Sequence, residues 1–335
     1  MKLSDSKAIF KLIQEAGIHN NPSSLSQAEL EELSKKTEFR EAFSKIMSQT
    51  NRNLYQELEM DSPYINTHRD ISLSSEQLQL HSHSFFEIIY CENGSIQYLI
   101  SDKRYRIHKG DIILLPPGIS HQPIFDNDMT EAYSRIVVWI STEFMNHLLT
   151  FCTEETLAQL RSQEHFLLRT EGSAHKHLGK YFQRGLDEAN TPAPLSNIAL
   201  LSNTTTLLTY LVRALLSSTT IFPSEQAEDI DPVFSYIENH YSQKITLEST
   251  AKHFHISPST LEKMFLNKIG ISFYRFVTQR RLINAKIKIE NGDIMEDIAL
   301  SCGFCDYSAF YRAFKKQYGI SPREYRNLTI ENTSY

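Results

Sequence analysis

The chain repeats one short phrase near its C-terminal end, and this repeat limits the folds that the region can adopt. The letters FLNKIGIS run from Phe265 to Ser272, and FKKQYGIS runs from Phe314 to Ser321. In each copy an amphipathic stretch precedes the phrase, and a glycine of the kind that ends helices lies inside it. Each copy therefore predicts a short helix, a tight turn and a second helix, which is helix-turn-helix organisation.

Residue types mark the boundaries of the second helix in each copy. Ser257 is a candidate N-cap followed by Pro258 at the first helical position, and Gly270 follows the helix. In the second copy Asp306 is the cap and Gly319 is the stop. The intervening SFYRFVTQRRLINAKIKIE predicts a long helix that fixes the spacing of the copies. Two recognition helices about 34 Å apart fit successive major grooves on one face of DNA.

Charge is distributed unevenly along the chain. Segment 245–327 contains 13 Lys and Arg residues and 8 Asp and Glu residues, so it carries +5, whereas the whole chain of 335 residues carries −6. A basic block on an acidic chain is typical of a nucleic-acid-binding module. The length itself predicts two or three domains.

The C-terminal region resembles the DNA-binding domain of AraC-type (AraC/XylS) transcription regulators. The resemblance is carried by ISPSTLEKMF, by RRLINAKIKI and by DIALSCGFCDYSAFYRAFKKQYGISPREYR. It implies that exposed positions of the two recognition helices face base edges, namely Ser259, Thr260, Glu262, Lys263, Tyr307, Ser308, Tyr311 and Arg312. We expect other cations of the region to contact phosphates, which set affinity rather than sequence preference: Arg275, Arg280, Lys315 and Lys316.

The middle of the chain predicts a small all-β unit. The runs FFEIIYC, SIQYLIS, DIILLP and RIVVWI are rich in strand-forming residues, and ENG, SDK, HKGD and PPG separate them as turns. Two stretches, HSHSFFEIIYCENG and GDIILLPPGISH, resemble the two cupin motifs. AraC-type regulators commonly carry a cupin-like barrel as the effector domain, so the resemblance implies a sensor role for this segment.

Four side chains of this segment are the candidate effector site. His81, His83 and Glu87 share parity, so on a regular strand they face one side, here the barrel interior, and His121 comes from a neighbouring strand. We expect them to hold a small polar ligand. The same four residues are also a ligand set for a divalent transition metal, and a third alternative is a hydrogen-bonded polar lining without metal. We expect no obligatory cofactor.

The fold class that follows is α+β, with an all-α C-terminal domain. The predicted parts are a helical extension at 1–62, a cupin-like barrel at 63–145, a helical dimerisation region at 146–217, a linker at 218–231 and the DNA-binding domain with two helix-turn-helix units at 232–328. The helical region contains an apolar stripe that needs a partner, either a second copy of the chain or the barrel itself: Ile198, Leu201, Leu208, Val212 and Leu215. We expect a homodimer.

The predicted function is a sequence-specific transcription regulator, an activator that responds to a small molecule and has no enzymatic activity. Its partners are double-stranded DNA, the effector and RNA polymerase. No apolar run is long and uninterrupted enough to predict a membrane span, and the N-terminus does not resemble a signal peptide, so we expect a cytoplasmic protein. The alternatives are a metal-dependent cupin enzyme fused to a DNA-binding domain and a regulator controlled by a protein partner.

Overall fold

The structure is a computed structural model that describes residues 36, 60, 62–72, 79–125, 132–161, 167–191, 193–217 and 228–332. Nearly all of the helical extension predicted for 1–62 and most of the predicted linker at 218–231 lie outside the described residues.

Eight strands in the described part of the chain form two antiparallel sheets. They are β1 Ile65–Ser72, β2 Phe86–Asn93, β3 Ser95–Ile100, β4 Lys103–His108, β5 Ile112–Leu115, β6 His121–Ile124, β7 Tyr133–Ile140 and β8 Leu167–Leu168. One sheet has the order β1-β7-β2-β5-β8, and the other has the order β4-β3-β6. The predicted cupin-like architecture is confirmed, with two facing sheets in place of a fully closed barrel.

A buried core fills the space between the two sheets. Ile89 and Cys91 of β2 pack there against Tyr98 of β3 and Tyr133 of β7. Ile88, the residue before Ile89 in sequence, points to the opposite side and joins a different buried cluster. This alternation follows from the two-residue period of a strand, and it makes the five-stranded sheet apolar on both faces.

Helices cover the outer face of the five-stranded sheet. They are α1 Thr142–Leu149, a 3₁₀ turn at Ala174–Leu178, α3 Gly179–Asn190 and α4 Ser196–Ser217. Helix α2, Glu154–Arg161, follows α1 in sequence and buries no side chain among its described residues. Leu208 and Leu215 of the predicted apolar stripe are buried in this layer, whereas Ile198 is exposed. The chain's own sheet therefore covers much of the stripe, so the stripe gives no argument for a dimer.

Helix α4 is also long and apolar enough to cross a membrane by length and composition. In the described structure 44% of its most apolar window is buried inside the protein.

Seven helices form the C-terminal domain within 228–332. They are α5 Asp231–His240, α6 Leu247–His253, α7 Pro258–Ile269, α8 Phe273–Glu290, α9 Met295–Ser301, α10 Tyr307–Tyr318 and α11 Pro322–Asn332. The pairs α6–α7 and α9–α10 are the two helix-turn-helix units, and α8 joins them. The predicted caps are confirmed, because the Ser257 hydroxyl accepts from the Thr260 amide at 3.1 Å and the Asp306 carboxylate accepts from the Ala309 amide at 2.6 Å.

The two units differ in the turn between their helices. His255 takes the left-handed conformation in the first turn with φ 55°, and Gly303 takes it in the second with φ 83°. A Cβ atom at Gly303 would lie 2.5 Å from the carbonyl oxygen of Tyr241, so only glycine fits there. The second turn is one residue longer, because Cys305 lies between this turn and the cap at Asp306.

The two domains pack directly on each other. Leu99 of β3 and Ile124 of β6 point away from the barrel core and are buried in one cluster with Ile230 and Phe234 of the C-terminal domain. The outer face of the three-stranded sheet is therefore the docking surface for the helices. This contact places the barrel against the C-terminal domain.

Candidate functional site

Helix α7 presents a polar face opposite its packing face. Leu261 and Phe265 are fully buried, while Ser259, Thr260 and Lys263 are exposed, as expected for side chains that meet DNA. The Ser259 and Thr260 hydroxyls lie 2.9 and 2.8 Å from the Ser257 hydroxyl, so both take part in the helix cap. Among the predicted contacts on this helix, Lys263 is the exposed cation.

Glu262 has a structural contact that the sequence analysis missed. It is half-buried, and its carboxylate accepts a hydrogen bond from the backbone amide of Phe273 at 3.2 Å. Phe273 is the first residue of α8. The backbone amides in the first turn of a helix have no hydrogen-bond partner inside that helix. Glu262 therefore joins the recognition helix to the start of α8. No local sequence signal pairs two positions 11 residues apart in separate helices.

Helix α10 is the more basic recognition helix. Phe310, Phe314 and Tyr318 are buried on one side, and the exposed side carries Ser308, Arg312, Lys315 and Lys316. Tyr307 and Tyr311 are half-buried, with ring centroids 6.3 Å apart.

The two cations predicted on α8 have different environments. Arg275 is exposed near the start of the helix. Arg280 is 1% exposed, donates to the Ser101 carbonyl and the Ser120 hydroxyl, and lies 2.8 Å from the Glu238 carboxylate. The expected phosphate contact of Arg280 requires an accessible guanidinium, so it is not compatible with this domain arrangement. The reason is tertiary: the barrel covers that face of α8.

A second buried arginine also joins the two domains. Arg104 of β4 is 3% exposed, and its guanidinium binds both carboxylate oxygens of Asp231 at 2.6 and 2.9 Å. A further nitrogen donates to Glu228 at 2.8 Å. Hydrogen bonds from the buried guanidinium hold the pKa of Asp231 below its usual value, although partial burial opposes this. The start of α5 is thus fixed to the barrel by charge-assisted hydrogen bonds.

The predicted sensor residues do converge, but through a different local structure from the one expected. His81 forms an isolated antiparallel bridge with His121, and His83 lies in the irregular segment before β2. Glu87 on β2 and His121, the first residue of β6, are on regular strands. One ligand atom from each of His83, Glu87 and His121 lies within 4.8 Å of the others. The ring of His81 packs edge-on against His121 with centroids 4.2 Å apart and does not join that group.

Each imidazole in this cluster is oriented by a backbone carbonyl at Nδ1. The distances from Nδ1 are 2.8 Å to the Phe85 oxygen for His83 and 3.0 Å to the Ile119 oxygen for His121. The Nε2 atoms then face Oε2 of Glu87, at 3.3 Å from His83 and 3.0 Å from His121. The indole of Trp139 donates to Oε1 at 2.8 Å.

Burial and the contacts of Glu87 shift the pKa values in this cluster. Burial lowers the pKa of His83 and lowers the pKa of His81 well below its usual value. Burial alone would raise the pKa of Glu87, but its contacts with His121 and His83 outweigh this and hold its pKa well below the usual range. An ionised carboxylate therefore faces the imidazole of His83, whose neutral form burial favours.

A cavity of about 220 Å³ lies elsewhere in the barrel. Its wall is mostly apolar and is formed by Ile100, Ser101, Asp102, Lys103, Tyr105, Ile113, Leu114, Leu115, Pro116, Ile119 and Leu167. None of the four predicted effector residues belongs to this wall. The sequence missed it because strands β3, β4, β5 and β8 form it together.

Cys302 and Cys305 do not behave as a paired motif. Cys302 is buried in the helical core, whereas Cys305 is exposed, and both are free thiols.

Two repeated helix-turn-helix units with exposed cations, docked on an antiparallel sensor barrel, define a two-domain DNA-binding regulator. Comparison with family models agrees: residues 250–328 match a helix-turn-helix domain, and residues 74–201 match an AraC-like ligand-binding domain. The chain belongs to the AraC family of transcription regulators.

Curated relatives have the same arrangement along most of their length. The transcriptional activator RhaS of Escherichia fergusonii is 22% identical over 73% of this chain and 86% of its own. The uncharacterized regulator YpdC of Escherichia coli is 25% identical over 69% of this chain and 78% of its own. Among solved structures, fatty-acid-bound ToxT of Vibrio cholerae is 14% identical over 80% of this chain and 96% of its own, with a TM-score of 0.37.

Proposed function

We propose that the chain is a sequence-specific transcription activator whose barrel binds a small molecule and thereby changes how the DNA-binding domain is held. One observation carries this proposal. Ser101 and Asp102 belong to the cavity wall, and the same two residues contact the helices: Ser101 accepts from Arg280, and Asp102 accepts from Ser235 at 2.7 Å. A molecule in the cavity therefore touches the segment that fixes the domain contact.

The chemistry of the cavity favours an amphipathic effector. Most of the wall is aliphatic, which suits an apolar body, and Asp102 and Lys103 supply charge at one end. The cluster of His83, Glu87 and His121 is too compact for an organic molecule, since its ligand atoms lie within 4.8 Å of one another. We therefore propose that the effector binds in the cavity and is more apolar than the ligand that the sequence predicted for this cluster.

The DNA target is an asymmetric site read by one polypeptide. Lys263 in the first unit and Arg312 in the second are exposed cations on different recognition helices, so each would read its own major groove.

The name of RhaS supports an activator role, in which RNA polymerase is the partner at the promoter. A chromosomal DNA target is consistent with the cytoplasmic location that we propose. A homodimer remains part of the proposal.

Selection of bound fragments from random double-stranded DNA tests the DNA-binding role. The full chain should enrich one motif with two half-sites one helical turn apart. Lys263→Ala and Arg312→Ala should relax different halves of that motif. Recovery of unrelated sequences by the wild-type chain would contradict sequence-specific regulation.

A cavity-filling variant tests the effector role. Leu167→Trp on β8 should abolish the thermal stabilisation that medium-chain carboxylic acids or amines give the wild-type chain, because the indole occupies the cavity. Leu195→Trp, at a site that is 71% exposed, is the control and should respond like the wild type. Equal stabilisation of the wild type and Leu167→Trp would place the effector elsewhere.

A further inference from the structure

We propose that His83, Glu87 and His121 bind one divalent first-row transition-metal ion. Two of its ligands, His83 and His121, are next in sequence to residues that contact helix α8 of the DNA-binding domain. The site is separate from the apolar cavity proposed for the organic effector, and its ligand is an inorganic ion.

The hydrogen bonds fix which nitrogen of each ring carries a proton. A carbonyl oxygen only accepts, so Nδ1 of His83 and Nδ1 of His121 must each carry the proton that is donated to Phe85 and Ile119. In a neutral imidazole the remaining Nε2 then has a free lone pair. Both Nε2 atoms face Oε2 of Glu87, which is also an acceptor.

Three acceptors at these distances need a positive charge between them. Nε2 of His121 is buried and has no aligned hydrogen-bond partner, although it lies only 3.0 Å from Oε2 of Glu87. Protonating both rings would place two positive charges in the barrel beside one carboxylate, at a site where all three side chains are buried. A single divalent ion satisfies all three ligand atoms at once.

The surroundings match the second shell of a metal site. Ligating histidines donate the other ring N–H to a carbonyl or carboxylate, which orients the ring, and both His83 and His121 do so. Trp139 donates to Oε1 of Glu87 and leaves Oε2 directed at the two imidazoles. Two imidazoles and one carboxylate suit borderline divalent ions such as Zn²⁺, Co²⁺, Ni²⁺ and Fe²⁺ rather than Mg²⁺ or Ca²⁺.

The ligands are adjacent in sequence to residues of the domain interface. Ser82, next to His83, accepts from Lys286 at 3.1 Å. Ser120, next to His121, accepts from Arg280. An ion that draws His83 and His121 together therefore also fixes the two backbone segments that hold α8. Metal occupancy should stiffen the docked arrangement.

Cobalt titration of the tag-free full-length protein, stripped with a chelator and dialysed, tests the proposal. One Co²⁺ per chain should bind and give d–d absorption bands that report nitrogen and oxygen ligands. Glu87→Gln, which keeps the shape of the side chain and an acceptor for Trp139, should bind Co²⁺ at least about 100-fold more weakly, because even second-shell changes cost about 10–100-fold. His147→Ala, at an exposed histidine on α1, should bind like the wild type.

Thermal unfolding with and without Zn²⁺ gives a second readout that does not depend on the cobalt spectrum. Zn²⁺ should raise the unfolding temperature of the wild type and of His147→Ala, but not that of Glu87→Gln. Trp139→Phe should weaken binding by about 10–100-fold while keeping the same spectrum, as expected of a positioning residue. Absence of uptake by the wild type, or equal uptake by Glu87→Gln, would overturn the proposal and leave the three side chains sharing protons.

Discussion

The Nζ atom of Lys286, in the helix that joins the two DNA-reading units, lies 3.1 Å from the carbonyl oxygen of Ser82 in the barrel. The lysine is 6% exposed, and the rings of Tyr318 and Tyr325 also lie within 6 Å of its ammonium group. Burial lowers the pKa of Lys286. A buried ammonium group thus connects the second helix-turn-helix unit, the connecting helix and the segment that carries His83.

Reversal of this charge should loosen the domain contact. Lys286→Glu places a carboxylate against the Ser82 carbonyl without a donor between them, which costs about 3–5 kcal/mol for an uncompensated buried charge. Hydrogen–deuterium exchange of segment 79–83 should become faster than in the wild type. Lys288→Glu, on the same helix with 34% of its side chain exposed, is the control and should leave exchange unchanged. Unchanged protection in Lys286→Glu would show that this contact does not hold the domains.

Removal of Arg104 should free the start of α5. Arg104→Ala loses two hydrogen bonds to Asp231 and one to Glu228, and bonds to charged groups contribute about 1.5–3 kcal/mol each, less here because both acids are partly exposed. We expect a lower unfolding temperature and faster exchange at 228–240. Lys103→Ala, exposed on the same strand, serves as the control. Equal stability of the two variants would contradict the role given to Arg104.

Base reading and phosphate binding should separate on α10. Arg312→Ala should weaken binding to the selected site by about 5- to 150-fold and relax preference at one base pair, since a bidentate arginine–guanine contact is worth about 1–3 kcal/mol. Lys315→Ala should lower the affinity for all sequences and reduce the salt slope by about one unit. Binding curves on the site and its point-mutated versions distinguish the two. A uniform loss in Arg312→Ala would assign that arginine to phosphate.

Glu262 should contribute to stability rather than to base reading. Glu262→Ala leaves the Phe273 amide without its acceptor, and loss of a helix-start contact costs about 0.5–2 kcal/mol. Urea unfolding should show this loss, whereas DNA affinity at low salt should stay equal or rise because an acid near phosphates is removed. Glu296→Ala, exposed on α9, should change neither quantity. A loss of DNA affinity larger than the loss of folded protein would make Glu262 a base contact.

The second turn should tolerate no side chain. Gly303→Ala combines a positive φ with a Cβ 2.5 Å from a carbonyl oxygen, and we expect a loss of about 1–3 kcal/mol in unfolding free energy. Gly292→Ala is the matched control, because its φ is +86° but nothing lies within 4 Å of the added atom. Equal losses in the two variants would mean that the backbone conformation alone, and not the contact with Tyr241, requires glycine.

Local features of the sequence were sufficient to predict the helical repeat and its boundaries. Ser257 and Asp306 cap their helices, and Gly270 and Gly319 end them with φ 77° each, because capping depends on residues within four positions of one another. The alternation of β2 likewise placed Glu87 on the inner face. Glu87 faces His83 and His121, but through a bridge between His81 and His121 that parity along one strand does not describe.

The sequence by itself determined the helices of the two repeated DNA-reading units, several of the barrel strands, and three of the residues that meet inside the barrel. Only the tertiary structure decided the roles of side chains with similar chemistry. Arg275 and Arg280 lie five residues apart on one helix, yet one is exposed and the other is 1% exposed under the barrel. The physical reason is that burial and partner choice depend on surfaces brought together from distant parts of the chain, whereas helix ends and strand faces depend on neighbours in sequence.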